Sequence, residues 1–319
     1  LVWVTGLFVI TSCFLYFLSS KASQLEIVQQ TMNHFKGREL MYFVKSGNQW
    51  ETKTPESDSC GNSLESIHIL TWNVWFGRLE QQKRGLSIIE QLNELSPTVA
   101  CFQEVTEYFL EQLKADTRVT EQYFFSDDST QQTLGSYGVL MLWKKDLPVR
   151  SLRLVSLPTR MSRSLLLLET SFDCQNSFWI GTVHLESMEP NAAARKAQLE
   201  QISTLLQSLD QTSILVGDFN FCSTWKTENE NIPADFVDVW ASLRGQEAGW
   251  TEDTHINIMR YNQKHKHKQV RFDRTLLRSP GNQWQPQHIR IIGTDPVPNL
   301  PDIWPSDHFG LSSKFVLNK

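Results

Sequence analysis

From Ile67 onward, short apolar runs of strand length alternate with stretches of helical spacing. The runs are IHILTWNV from Ile67, TVACFQEV from Thr98, YGVLMLW from Tyr137, SLLLLET from Ser164, FWIGTVHLE from Phe178, SILVGDF from Ser213, RFDRTLL from Arg271 and HIRIIG from His288. Their length and apolar content predict strands. Between the first two, Leu86, Ile89, Glu90, Leu92 and Asn93 have the spacing of an amphipathic surface helix over Arg84 to Leu95, stopped ahead of Pro97. A second helix is predicted over Ala192 to Leu209, directly after HLES. Many strands with interposed helices predict an α/β layered fold.

The N-terminal part has a different pattern. Residues 1 to 20 carry no charge, and ~20 apolar positions at a helical rise would cross a bilayer. The segment reads as a transmembrane anchor or, with small residues at Ser20, Ala22 and Ser23, a removable signal peptide. Residues 21 to 66 are mixed and polar, and Glu51 to Ser66 has the composition of a tether. The expected organisation is anchor or signal 1–20, linker 21–66 and catalytic domain 67–319.

Composition narrows the function classes. A chain of 319 residues, 40% hydrophobic and 20% charged, suits one large domain with appendages. Most of its 11 Trp and 18 Phe are expected in the core. The net charge of −5 gives no overall positive field, so strong non-specific binding to duplex DNA is not predicted and any nucleic-acid contact must be local. Five cysteines, odd in number and without metal-ligand spacing, argue against a disulfide framework or a zinc site. They read mostly as free thiols, Cys101 in the core and Cys60 exposed.

Candidate chemistry lies at the ends of the apolar runs. Asn73 follows ILTW, Glu104 follows ACFQ, His184 follows IGTV, and Asp218 and Asn220 follow ILVG. A buried carboxylate or amide is costly unless paired, so repeated polar strand ends imply one shared site. Asp273 in RFDR and Asp307-His308 in PSDHFGL complete the set. Phosphodiester hydrolysis needs a hard cation, a group that orients or deprotonates water, and donors for the pentacovalent charge. Glu104 suits the metal, Asp218 the water, and Asn73, Asn220, His184 and His308 the phosphate oxygens.

In that order TWN, QEV, HLES, GDFN, RFDR and SDHFGL resemble the endonuclease/exonuclease/phosphatase superfamily. The likeness is greatest to the tyrosyl-DNA phosphodiesterase 2 family, through HLES, VDVW, RFDR and PSDHFGL. The resemblance implies two mixed β-sheets packed face to face with helices outside, and an enzyme that uses Mg2+ or Mn2+. It implies Glu104 and Asp307 at the metal, Asp218 as catalytic aspartate, and Asn73, Asn220, His184 and His308 around the phosphate. Asp273 would hold His308 cationic and oriented.

Departures from that family fall where substrate is recognised. Trp75 replaces an acidic metal-site residue, Cys222 an arginine after GDFN, Met188 and Glu189 an arginine region after HLES, and Glu252 a stacking tryptophan, with Trp250 nearby. Weaker metal binding and weaker DNA-end binding are expected. Lys264-His265-Lys266-His267-Lys268 forms a local basic loop, and Arg160 and Arg163 precede a strand, with Arg163 taken as a substrate contact. The expected substrate is a phosphodiester such as a 5′-phosphotyrosyl single-stranded DNA end, met by a monomeric domain in the nucleus. The alternative is a membrane-tethered enzyme acting on a phospholipid, nucleotide or RNA.

Overall fold

The computed structural model describes residues 37–60, 64–174 and 176–318. In chain order the strands are β1 (Arg38–Glu39), β2 (Tyr42–Ser46), β3 (Gln49–Lys53), β4 (Ser66–Asn73), β5 (Val99–Val105), β6 (Tyr123–Phe125), β7 (Gly138–Lys144) and β8 (Val149–Ser156). They continue as β9 (Ser164–Ser171), β10 (Ser177–His184), β11 (Ser213–Asp218), β12 (Val237–Asp238), β13 (Glu252–Asp253), β14 (Gln269–Val270), β15 (Asp273–Arg278), β16 (Trp284–Ile292) and β17 (Gly310–Leu317). One sheet has the order β1-β8-β9-β10-β11-β15-β12, the other β16-β17-β4-β5-β7-β6-β2-β3, and β13 pairs with β14 alone. Both large sheets are mixed, because β10–β11 and β4–β5 run parallel inside otherwise antiparallel neighbours.

Strand periodicity explains the layering. Alternate residues leave opposite faces, so Ile67 and Ile69 of β4, Cys101 of β5, Ile180 of β10 and Ile214 and Val216 of β11 meet in the core between the sheets. Leu70, Trp72 and Phe102 point the other way, onto Ile88, Ile89 and Leu92 of helix α1 (Gln81–Leu95) and Leu110 and Leu113 of α2 (Glu107–Ala115). A short α3 (Thr117–Gln122) completes that layer. On the far side Leu165, Leu167, Val183 and Leu215 pack against Leu199, Ile202 and Leu206 of α4 (Ala192–Ser208). The result is the α-β-β-α sandwich implied by the resemblance, with α1 and α4 matching the two expected helices.

Two expectations change. The linker reading fails for residues 38–53: β1 pairs with β8, and the β2–β3 hairpin joins β6 at the rim of the second sheet. The compact unit begins at Arg38. β1 and β3 are exposed edge strands, which is why they lack an apolar run, whereas β2 lies between β3 and β6 with Phe43 and Val44 buried. The free-thiol reading fails for Cys60, which is bonded to Cys174 across 114 residues, whereas Cys101 and Cys222 are buried free thiols. The apolar segment 1–20 lies outside the described residues; among the described residues no helix is long and apolar enough to cross a membrane.

Candidate active site

The same alternation that makes the inter-sheet core carries polar residues to its rim. Asn73 continues the inward row of Ile67 and Ile69, His184 that of Phe178 and Ile180, and Asp218 that of Ile214 and Val216. Register aligns them: His184 faces Asp218 across the parallel pair, and Asp218 faces Asp273 across β15. Gly217, at φ 135°, lies so close to the Val183 carbonyl that a Cβ could not be accommodated, so glycine is required just before Asp218. A bulge between Phe102 and Val105 re-aims Glu104, which adopts φ 58°. Asn220 and Trp75 also have positive φ, at 55° and 58°. Three left-handed non-glycine residues around one site store local strain.

Asp218 is the hub. Its Oδ2 accepts from Asn73 Nδ2 at 3.0 Å and its Oδ1 from the Asn220 amide at 2.8 Å. His184 Nε2 stands 3.5 Å and His308 Nε2 4.0 Å from Oδ2. Burial raises the Asp218 carboxyl, but the His308 cation and these donors outweigh it and hold it below the usual range. Burial, with Arg163 and His308 nearby, pushes His184 down to about 3 against the pull of Asp218, so its contact with Asp218 is that of a neutral imidazole rather than an ion pair. His308 behaves oppositely: burial disfavours its charge, but the Asp273 and Asp218 carboxylates lift it well above its ordinary value. Asp273 is pushed up to about 6 by burial, against His308; the two meet at 2.8 Å as a charge-assisted pair.

Glu104 and Asp307 lie beside this hub. Burial and the Asp307 charge push the Glu104 carboxyl up to about 7, with His308 acting the other way. Its Oε2 accepts from the Phe76 amide at 3.1 Å. A carboxylate destabilised in this manner is what a divalent cation would stabilise, so the donor set fits a hard ion. Asp218, Asp273 and His308 also present ligand atoms within 4.8 Å of one another. Their Asp273–His308 bond already engages His308 Nδ1, so the Glu104–Asp307 side is the better ion cradle.

Several contributors carried no sequence signal. Gln103, inward on β5, donates to Thr71 and Thr182, both at 3.0 Å, tying the two sheets beneath the site. Ser306 Oγ donates to the Asn73 carbonyl at 2.6 Å and accepts from the His308 amide. Thr251 Oγ1 accepts from the Asp273 amide at 3.1 Å. Arg84 of α1 is buried and donates to the carbonyls of Val74, Trp75, Gly77, Leu79 and Pro305. Its guanidinium lies 4.2 Å over the Trp75 ring. Trp75, where the resembled family has an acid, thus packs under an arginine.

On one flank Arg163 Nη2 donates to Ser187 at 2.8 Å and lies 3.2 Å from His184 Nε2. Its guanidinium is 5.6 Å from the Tyr137 ring, and Tyr137 stacks on the exposed Phe76. Arg163 and Tyr137 line a cavity of about 310 Å³ with Ser162, Ser164 and His184. Arg160 is exposed, and only its amide is held there, by Glu186. Cys222 is buried beside Phe272 and Val270, with Trp250 packed on that cluster, and Glu189 is exposed in a turn. Glu252 is buried and paired with Arg260 and Lys268.

The Endonuclease/Exonuclease/phosphatase family model matches residues 70–308, spanning every residue of the hub. The chain belongs to that family. It is a phosphodiesterase hydrolase resembling tyrosyl-DNA phosphodiesterase 2, being 27% identical to that protein from Homo sapiens over 268 residues, 81% of this chain and 70% of the relative. The Danio rerio protein is 28% identical over 278 residues, 84% of this chain and 71% of the relative. The structure of Danio rerio tyrosyl-DNA phosphodiesterase 2 complexed with single strand DNA product superposes with TM-score 0.66 at 26% identity, covering 80% of this chain and 99% of that one. The human Nocturnin catalytic domain, at TM-score 0.61 and 16% identity over 80% of this chain and 94% of that one, shares the fold.

Proposed function

We propose that this phosphodiesterase is magnesium-dependent and cleaves the bond between a tyrosine side chain and the 5′ phosphate of a single-stranded DNA end, in nuclear DNA repair. The observation that carries the reading is the flank of the site. Arg163, set between His184 and the face of Tyr137 with Phe76 stacked beyond, suits a phenolate leaving group, which is both aromatic and anionic. An alkoxide leaving group would gain nothing from the aromatic wall.

The remaining residues divide the chemistry. Asp218, ionised and fixed at both oxygens, orients and accepts a proton from the attacking water. His308, cationic through Asp273, donates to the phosphoryl oxygens as charge builds on them, and neutral His184, accepting from Arg163 at Nε2, positions that guanidinium beside them. Asn73 and Asn220 hold Asp218 in place. A magnesium ion held by Glu104 and Asp307 would neutralise non-bridging oxygen charge.

The test is release of tyrosine from a 5′-tyrosyl oligonucleotide by the full chain with magnesium, with chelator and with Asp218→Ala. Cleavage lost in both controls supports the reading. A folded protein that leaves this substrate intact but hydrolyses a choline phospholipid, a dinucleotide or an RNA overturns it.

One observation favours a second reading. A cystine forms and persists in oxidising compartments and is rare in the nucleus and cytosol, and Cys60–Cys174 is such a bond. With the apolar segment 1–20 this suits a membrane-tethered enzyme acting on a nucleotide, RNA or phospholipid outside the reducing compartments. Trapping free thiols in cells expressing the chain separates the two: Cys60 and Cys174 labelled together place it with nuclear DNA, and both protected favour the tethered form.

A further inference from the structure

Two guanidinium groups stand close to the proposed ion cradle, and they differ in freedom. Arg84 has its N–H donors directed at five backbone carbonyls, so its charge cannot move. Arg260 is held differently. It projects from α7 (Ile258–Lys264), which follows the short helices α5 (Lys226–Asn229) and α6 (Val239–Arg244) and is inserted between β13 and β14. Its Nε donates to Glu252 at 2.9 Å while Nη1 lies 3.4 Å from Asp307 Oδ2. Glu252, only 1% exposed, takes Lys268 on its other oxygen at 2.6 Å. The buried carboxylate thus anchors the guanidinium at one nitrogen and leaves its far edge to the site.

On the reading that Glu104 and Asp307 hold a divalent ion, that far edge occupies the ion's own counter-charge. Both cations cannot keep Asp307 without strong repulsion in a setting of low effective dielectric. Glu252 keeps the displaced guanidinium beside the cradle, within reach of a phosphoryl group brought there by the substrate. A guanidinium pairs readily with such oxygens.

We propose that Arg260 is a resident counter-ion of Asp307 which a divalent ion displaces and which then binds substrate phosphate, so that ion and phosphate bind cooperatively and the ion alone binds weakly. Linkage makes the effect reciprocal: whatever factor phosphate adds to ion affinity, the ion adds to phosphate affinity. Trp75, where the resembled family has an acid, and Arg260, paired with Asp307, act in the same direction, toward a site that loads its ion with its substrate.

The experiment is binding of Mn2+ to the full chain by electron paramagnetic resonance, with and without inorganic phosphate. Wild type is expected to bind Mn2+ about tenfold more tightly when phosphate is present. Arg260→Gln is expected to bind Mn2+ alone about tenfold more tightly than wild type and to respond to phosphate less than about twofold. Arg260→Lys, which keeps the charge, is expected to stay near wild type. If wild type shows no coupling, or if folded Arg260→Gln binds Mn2+ alone no better than wild type, the proposal is overturned while the ion cradle stands. If Glu104→Gln leaves Mn2+ binding unchanged, the cradle itself is misassigned and both readings fall.

Discussion

His308 meets Asp273 Oδ2 through Nδ1 at 2.8 Å, and its Nε2 lies 4.0 Å from Asp218 Oδ2, so one imidazole lies between two carboxylates. The Nδ1 proton fixes which nitrogen faces the site and keeps the ring charged. Asp273→Asn removes that charge stabilisation with almost no change in shape. Its kcat is expected to fall by about 10²–10³-fold with KM little changed. Steady-state kinetics with a thermal melt checks this; activity within about threefold of wild type would reduce Asp273 to a structural role.

Asn73 offers a graded comparison with Asp218. Its amide donates to one Asp218 oxygen, a hydrogen bond to a charged group worth about 1.5–3 kcal/mol. Asn73→Ala is therefore expected to lower kcat by roughly 10- to 100-fold. Asp218→Ala, which removes the group that accepts the water's proton, is expected to lose more. Parallel single-turnover measurements decide the order; equal losses would mean that Asn73 contacts substrate directly.

The disulfide is remote from the chemistry. Cys174 lies before β10 and His184 ends it, and the strand itself spans roughly 23 Å. Replacing both Cys60 and Cys174 with Ser is expected to lower stability by about 2–5 kcal/mol and leave kcat unchanged at 25 °C. Urea unfolding of the variant, and of wild type with and without reductant, measures the difference.

Asp238 supplies a pH test away from the site. Its carboxylate accepts from Arg271 at 2.9 Å and Arg274 at 2.8 Å, both buried arginines. Burial raises its pKa, but the charges of Arg274 and Arg271 outweigh that and lower it. The folded value lies below the unfolded one near 3.9. The stabilisation is therefore complete above that value and is lost as pH falls through the folded one. Asp238→Asn leaves two buried guanidiniums without their anion and is expected to cost about 3–5 kcal/mol at neutral pH. Thermal melts should show a constant gap from wild type between about pH 5 and 8. The gap should narrow below about pH 4; a gap that widens in acid would refute the assignment.

What could be read from the sequence follows from locality. Asn73, His184 and Asp218 were legible because each ends a buried strand and the two-residue repeat assigns it a face. Arg84 and Arg260 were not, since an arginine in a helix looks solvated until the carbonyls or carboxylate it reaches are known. Gln103 was hidden within QEV by its acidic neighbour. Strand β3 is not legible because QWETK is an exposed polar edge that resembles a tether, and β2 is not because Phe43 and Val44 are too short a buried run to stand out. The partner of Cys60 is set by where the β9–β10 turn arrives in space, and an odd count of scattered cysteines carries no such information. Glu252 was read as a lost stacking position, whereas its buried place between Arg260 and Lys268 makes it an anchor.

The hub draws Asn73 and Glu104 from one sheet and His184, Asp218 and Asp273 from the other, with His308 entering just before β17. Neither sheet holds a working half. Catalysis is therefore a reporter of docking: an intermediate with either sheet formed alone would be inert, and turnover would return during refolding only with closure of the inter-sheet core. Because β4 pairs with β17 across most of the sequence, the second sheet itself waits on long-range contacts, and the closure that follows it is expected to be slow relative to helix formation.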